Sequence, residues 1–489
     1  MRNKIYVTVY IAVVCILLVV TYLVMFSGDT TEQTRPSVQP TMCINCIIAP
    51  EIICEPVCIP PYAPIIAAPV GYVGFPSLHL VSDYHPFEVD RDFWHGGAAS
   101  LWGADDVFNF EHTVVQIRGR GNSTWVRGRE KRSLRIRFAE ARALFGGEYA
   151  HRDWILLANL FDPSLLRNHS ALYLANLLEN QDFTPSAQMI HLYINGEYMG
   201  LYEITDERDP APGRGPLNFD PDPTISEFLF ELDGHLIGWR ADEFVEDIDF
   251  FTAGIDDAMR AYAIRFPRQS DWDGHLEYLR DHIRYVDDII YSRDFDAIAQ
   301  VIDIPSFVDF YLVQEFTKNI DVGTFSVFMS LRGQGDERRI HFGPAWDFDR
   351  SSGNTLYWTA YTHIHAGLRN NWFRQLMSTP EIFEITQARW EEIKDDHIRQ
   401  MIDHIAFIAE ENEASFLRNF ERHDHILGGN PPFFALLPQE TREIDTFEGQ
   451  VEYLLEWFEG RVFWLTIFFE RRYGWINDWW DNIVAEGRR

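Results

Sequence analysis

The apolar residues of this chain change period once along its length, and that change decides what it can fold into. Between 114 and 232 they alternate in short runs, whereas beyond Asp271 they fall at helical spacing. Runs at 114–118, 134–138, 154–158, 189–194, 200–204 and 228–232 read as strands, and Asn195-Gly196 between two of them reads as a tight hairpin. One helix interrupts this half, opened by Asp162-Pro163-Ser164 and carrying Leu165, Leu166, Leu172, Leu174, Leu177 and Leu178. Later, Leu279, Ile283, Val286, Ile289 and Ile290 mark a second helix. Phe447, Val451, Leu454, Leu455, Phe458, Val462, Leu465 and Phe469 form a closing stripe that reads as core packing. The expected class is α+β, with a sheet-rich N-terminal half and a mostly helical C-terminal half.

At 489 residues the chain is long enough for one large domain or two tightly packed lobes. Its 42 basic against 74 acidic residues leave a net charge of −32, which argues against nucleic acid or anionic lipid as the main ligand. Residues 5–26 are largely apolar, enough to cross roughly 30 Å of hydrocarbon as a helix. Arg2 and Lys4 precede that segment and Asp29 and Glu32 follow it, so the N-terminus stays cytoplasmic and the remainder is exported. Cys43, Cys46, Cys54 and Cys58 crowd into a proline-rich stretch; an exported setting suits two small disulfides, with zinc as the alternative. The expected organisation is an anchor at 1–26, a stalk at 27–77 and a globular domain at 78–489.

Chemistry concentrates in a few places. Asp347 and Asp349 stand two residues apart after an apolar segment, where alternation on an extended chain would point both at one cleft as Mg²⁺ or Ca²⁺ ligands. The plainer reading of such a pair is a turn or a helix cap. Asp321 lies upstream at a spacing used by phosphoryl-transfer sites, in which one aspartate orients the acceptor hydroxyl and a later one holds metal. Arg118, Arg120 and Lys131 place positive charge in a very acidic chain, and either ordinary salt bridging or phosphate neutralisation accounts for it. Gly119-x-Gly121 either admits a phosphate to the backbone or marks a bulge. Asp162 with Arg167 suits a cap and a buried ion pair. Asp206 and Glu207 are candidates for the acidic partner of Lys131. His363/His365 and His423/His425 have strand-like spacing for a metal but suit structural roles equally. No G-x-S-x-G, H-E-x-x-H or Walker motif occurs.

Five blocks then line up in order: 117–125 with Lys131-Arg132-Ser133-Leu134, 154–168 with its core Asp162-Pro163-Ser164-Leu165-Leu166-Arg167-Asn168, 192–202, Phe230-Glu231-Leu232-Asp233, and Asn319-Ile320-Asp321 through Gly343-Pro344-Ala345-Trp346-Asp347-Phe348-Asp349. In these blocks the chain resembles the CotH family of kinase-like, mostly extracytoplasmic proteins. The resemblance implies an atypical two-lobed kinase-like fold that binds ATP with Mg²⁺ or Mn²⁺ and phosphorylates Ser or Thr of surface, secreted or spore-coat proteins. It assigns the catalytic role to Asp321, metal binding to Asp347 with Asp349 as the second contact, and nucleotide neutralisation to Lys131 with Arg118, Arg120 and Asp206 nearby. Ser326 stands where the most kinase-like members carry an asparagine for metal. The alternative function is a non-catalytic surface protein of the same fold, acting in adhesion or carbohydrate contact.

Overall fold

The computed structural model describes residues 74–470, apart from 83–90, 92, 104–107, 122–124, 126–130, 146–149, 182, 209–216, 237–249, 254–259, 268–273, 356–359 and 428–436. The expected anchor and the cysteine-bearing stalk lie outside the described residues. Among those described, no helix is long and apolar enough to cross a membrane.

Seven strands, β1 (Ser77–Ser82), β2 (His95–Trp102), β3 (Phe110–Gly119), β4 (Leu134–Arg142), β5 (His151–Leu157), β6 (Ala187–Ile194) and β7 (Glu197–Asp206), close into a barrel in the order β1-β2-β3-β4-β5-β7-β6. Every neighbouring pair is antiparallel except β1 and β6, which run parallel from Ser77 opposite His191 and complete the ring. Closure leaves no unpaired edge. The hairpin at Asn195-Gly196 is as expected: φ is 52° and 83° at the two residues, the left-handed pair that a two-residue turn needs.

A second, antiparallel sheet has the order β12-β11-β8-β10-β9, built from β8 (Phe228–Leu232), β9 (Phe250–Thr252), β10 (Ala261–Phe266), β11 (Val327–Arg332) and β12 (Arg339–Phe342). Strands therefore persist well past the point where helical spacing begins. The described helices are α1 (Arg167–Leu177), α2 (His275–Ser292), α3 (Phe295–Val301), α4 (Ile304–Thr317), α5 (Ala366–Arg369), α6 (Asn371–Met377), α7 (Pro380–Ile393), α8 (His397–Glu411), α9 (Glu413–Arg422), α10 (Gln439–Arg442) and α11 (Phe447–Glu470).

Helix α1 begins two residues later than its leucines suggest, because Leu165 sits at φ 62°. Asp162 does cap it, accepting the Arg167 N–H at 2.7 Å, and forms a fully buried ion pair with the Arg167 guanidinium. The closing stripe is buried as expected, and Phe458 stacks on Phe316 of α4 at 5.5 Å. One hydrophobic core runs from Phe75 to Phe469 through the barrel, the second sheet and the helices. A small separate cluster of Ile155, Phe328 and Trp346 joins β5 to β11 and to the loop after β12, which is where Asp347 and Asp349 lie.

Candidate active site

The segment after β12 is a loop, not the extended strand that alternation required. Asp347 adopts φ 68° and is exposed, Phe348 is fully buried, and Asp349 is partly buried. A left-handed conformation at a non-glycine residue persists only where its surroundings hold it. Here three side chains do so. Asn319 Nδ2 donates to the Asp347 carbonyl at 3.1 Å, Ser326 Oγ donates to Asp347 Oδ2 at 3.2 Å, and Asn168 Oδ1 accepts the Phe348 N–H at 3.1 Å. Asn168 is itself oriented by Glu203 of β7, whose Oε2 accepts its amide at 2.8 Å. Downstream, Asn354 Nδ2 donates to the Asp349 carbonyl at 2.8 Å.

Asn319 also fixes Asp321. Its Oδ1 accepts the Asp321 N–H at 3.1 Å, capping the 3₁₀ turn Ile320–Gly323, so one buried amide ties both aspartate segments together. The Asn319 carbonyl in turn accepts from His365 Nε2 at 2.8 Å; burial pushes that imidazole down to about 3, leaving it neutral. His423 has a comparable role, donating to the Met199 carbonyl at 2.8 Å.

The charges of Asp321 and Asp347 act on Asp349. Asp349 is pushed well above the usual carboxylate range, first by burial, then by the charges of Asp347 and Asp321, with Arg350 opposing. Facing them is Arg120, whose guanidinium lies 5.0 Å from the Trp346 ring centroid. Burial and neighbouring Arg208 lower it to about 10, while Asp347, Glu231 and Asp349 pull it up, so it remains a cation at neutral pH. Arg208, which the sequence did not single out, stacks on the same ring at 5.6 Å. Glu231, from the Phe-Glu-Leu-Asp block, is buried beside them and bonded to Arg265 at 2.7 Å.

Lys131 is fully buried, with Nζ 5.2 Å from the Tyr202 ring centroid and no hydrogen-bond acceptor among the described residues. Burial drives it down to about 7, against the pull of Asp162. Asp162 also acts on Asp349, so it lies electrostatically between the lysine and the carboxylate cluster. The expected acidic partners of Lys131 are engaged elsewhere: Asp206 accepts Ser186 N–H and Oγ–H at 2.8 Å each, and Glu207 is ion-paired with Arg135 and Arg208. Arg118 packs on Trp94 at 4.6 Å, sharing that ring with Arg137. Gly119 is explained by packing, since a Cβ there would lie 2.2 Å from the Trp125 ring. The site thus brings together Asp321, Asp347, Asp349 and Arg120, with Lys131 linked through Asp162.

Charge decides whether these residues suit a dication and a polyphosphate. Burial and the charges of Asp347 and Asp321 disfavour ionisation of Asp349, a penalty that a hard cation would relieve, and a buried ammonium with no acceptor among the described residues matches an anionic group. Among the described residues no three acidic or histidine side chains already converge on a metal position.

No curated protein matches the chain. A family model described as CotH kinase protein matches residues 117–465, most of the chain and every element named above from β4 to α10. Its span includes Asp321, Asp347, Asp349, Arg120 and Lys131, and on that match the chain belongs to the CotH kinase protein family, whose function is kinase-like.

Proposed function

We propose that this protein transfers the γ-phosphoryl group of ATP to Ser or Thr hydroxyls of a protein substrate. The observation that carries the reading is the carboxylate cluster of Asp321, Asp347 and Asp349 set against Arg120 and Arg208. Phosphoryl transfer is mostly positioning and charge neutralisation, and this arrangement supplies both signs of charge. Asp321 accepts the acceptor hydroxyl's proton as the new O–P bond forms and ADP departs. Arg120 offsets charge on the transferring group, and Lys131 anchors the nucleotide phosphates. Held by Asp347 with Asp349, Mg²⁺ or Mn²⁺ would supply further charge neutralisation at the phosphates. Ser326 orients the Asp347 carboxylate for that role.

The remainder of the reading rests on sequence. Residues 5–26 anchor the chain in a membrane, the globular part is exported, and the acceptor is a Ser/Thr-rich protein of the cell surface or spore envelope.

The test is label transfer from γ-³²P-ATP, with Mg²⁺ or Mn²⁺, to a Ser/Thr-rich protein. Asp321→Asn should lower the rate roughly 10²- to 10⁴-fold, as loss of a general base does, while nucleotide-dependent thermal stabilisation persists. Asp347→Asn should abolish transfer and remove the metal-dependent part of that stabilisation. A wild-type protein that neither transfers label nor is stabilised by nucleotide would leave a non-catalytic surface role.

A further inference from the structure

Beside the turn that carries Asp321 lies a cavity whose walls the phosphoryl-transfer chemistry does not use. Gly323 and Thr324, the residues just after Asp321, form one wall, and Arg260, Arg369 and Asn371 contribute others. Arg260, just before β10, is 8% exposed; its Nη1 bonds Asp287 at 3.3 Å and its guanidinium also interacts with Tyr262 and Tyr291, while its Nη2 has no hydrogen-bond partner among the described residues. Asp287 is further occupied, accepting Trp372 Nε1–H at 2.6 Å on the same oxygen. Arg369 is exposed, and its backbone is pressed against the turn, since a Cβ on Gly323 would come within 3.0 Å of the Arg369 carbonyl. Among the described residues Arg369 forms no ion pair, and the side chains of Thr324 and Asn371 form no hydrogen bond.

Arg260 Nη2, the Arg369 guanidinium, a hydroxyl and an amide therefore stand as donors around one cavity whose other walls are apolar, Leu232, Val327, Met329 and Phe342 among them, in a chain of net charge −32. An oxyanion matches such a donor set, carboxylate and phosphate alike. We propose that this cavity receives an acidic side chain of the acceptor polypeptide and thereby selects hydroxyls that lie close to negative charge. The proposal rests on the kinase reading above, because the cavity's position beside Asp321 is what ties it to the acceptor.

The experiment uses the full chain and two synthetic peptides, a serine flanked by glutamates and the same peptide with glutamines. Transfer from γ-³²P-ATP is measured beside nucleotide-free binding by fluorescence polarisation. Wild type should favour the acidic peptide roughly tenfold in kcat/KM, the ratio one charge-assisted contact of about 1.4 kcal/mol supports. Arg369→Glu, at an exposed position where folding is not at stake, should collapse that preference, and Arg369→Lys should keep part of it. Equal transfer to both peptides overturns the proposal and leaves the kinase reading standing. Acidic-peptide binding that Arg369→Glu abolishes, with no transfer to either peptide, upholds the cavity and removes the kinase reading. If neither peptide binds or is labelled, both fall. Thermal stabilisation by inorganic phosphate alone that depends on Arg369, with no preference between peptides, assigns the cavity to free phosphate and overturns its role in acceptor choice.

Discussion

Lys131 is the residue whose chemistry is most exposed to test. An ammonium at 0% exposure is disfavoured in its charged form, which is why it falls from 10.5 to about 7. The unfolded chain holds that proton up to about pH 10.5 and the folded chain only to about pH 7, so between those values unfolding takes up a proton. Stability contributed through Lys131 therefore rises with pH across that window, and below it the full cost of the buried charge is present. Lys131→Met should be more stable than wild type at pH 6, by on the order of a few kcal/mol, and the gap should close towards pH 10. Lys318, also lowered to about 7 by burial, is present in both proteins and cancels in the difference. Nucleotide binding should restore the Lys131 proton. At pH 8, calorimetry in two buffers of different ionisation enthalpy should show proton uptake by wild type and none by Lys131→Met. Parallel pH–stability curves for the two proteins would show that the lysine pays no such burial cost.

Among the elements, legibility followed local pattern. Strands β3 to β8 alternate and were readable; β2, reading His-Gly-Gly-Ala-Ala, has little β-propensity, and β1 is placed by a parallel pairing with β6 that no local spacing encodes. Helix α4 is buried almost all round, its Asp309, Gln314 and Glu315 included, and so lacks a stripe. At the site, Asp321, Asp347 and Asp349 were legible from spacing and from the resemblance, but the side chains that hold them were not. Asn168 reaches Phe348 across 180 residues of sequence, and Asn319 reaches the Asp347 carbonyl across 28. The same blindness explains Asp206, whose bond to Ser186 forms only when β7 is in register beside β6. Asn319 makes the clearest prediction at this level. Asn319→Asp keeps the acceptor for the Asp321 N–H but loses the donor to Asp347, so the 3₁₀ turn stays capped while the metal-bearing loop is released. Its apparent affinity for Mg²⁺ or Mn²⁺ should fall with nucleotide affinity changed less, whereas Asn319→Ala should lower kcat as well. Metal titrations at saturating ATP separate the two; identical metal affinities in wild type and Asn319→Asp would remove the amide from any positioning role.

Across the whole molecule, the last helix governs a site far from it in sequence. Arg461 of α11 is fully buried, and its guanidinium bonds the Glu315 carboxylate at 2.5 Å, the Glu315 carbonyl at 2.6 Å, and the Tyr361 and His363 carbonyls at 2.8 Å each. Glu315 is equally buried and also accepts the N–H groups of His365 and Ala366 at 2.7 and 2.8 Å. These contacts satisfy carbonyls at the end of α4, from which the chain passes through Lys318 and Asn319 to Asp321. Removing one partner of a buried pair leaves the other charge uncompensated, a loss of about 3–5 kcal/mol. Arg461→Met should therefore cost that much in urea unfolding. Arg461→Lys should recover little, because one ammonium cannot reach acceptors spread across a planar fork. Adding Glu315→Gln to Arg461→Met should restore part of the stability, since no buried charge then stands alone. Activity should not return with it, because the carbonyls at the end of α4 still lack their donor and the Asn319–Asp321 segment loses its fixed origin. A double variant that recovered stability and activity together would mean that α11 supports the fold without positioning the site.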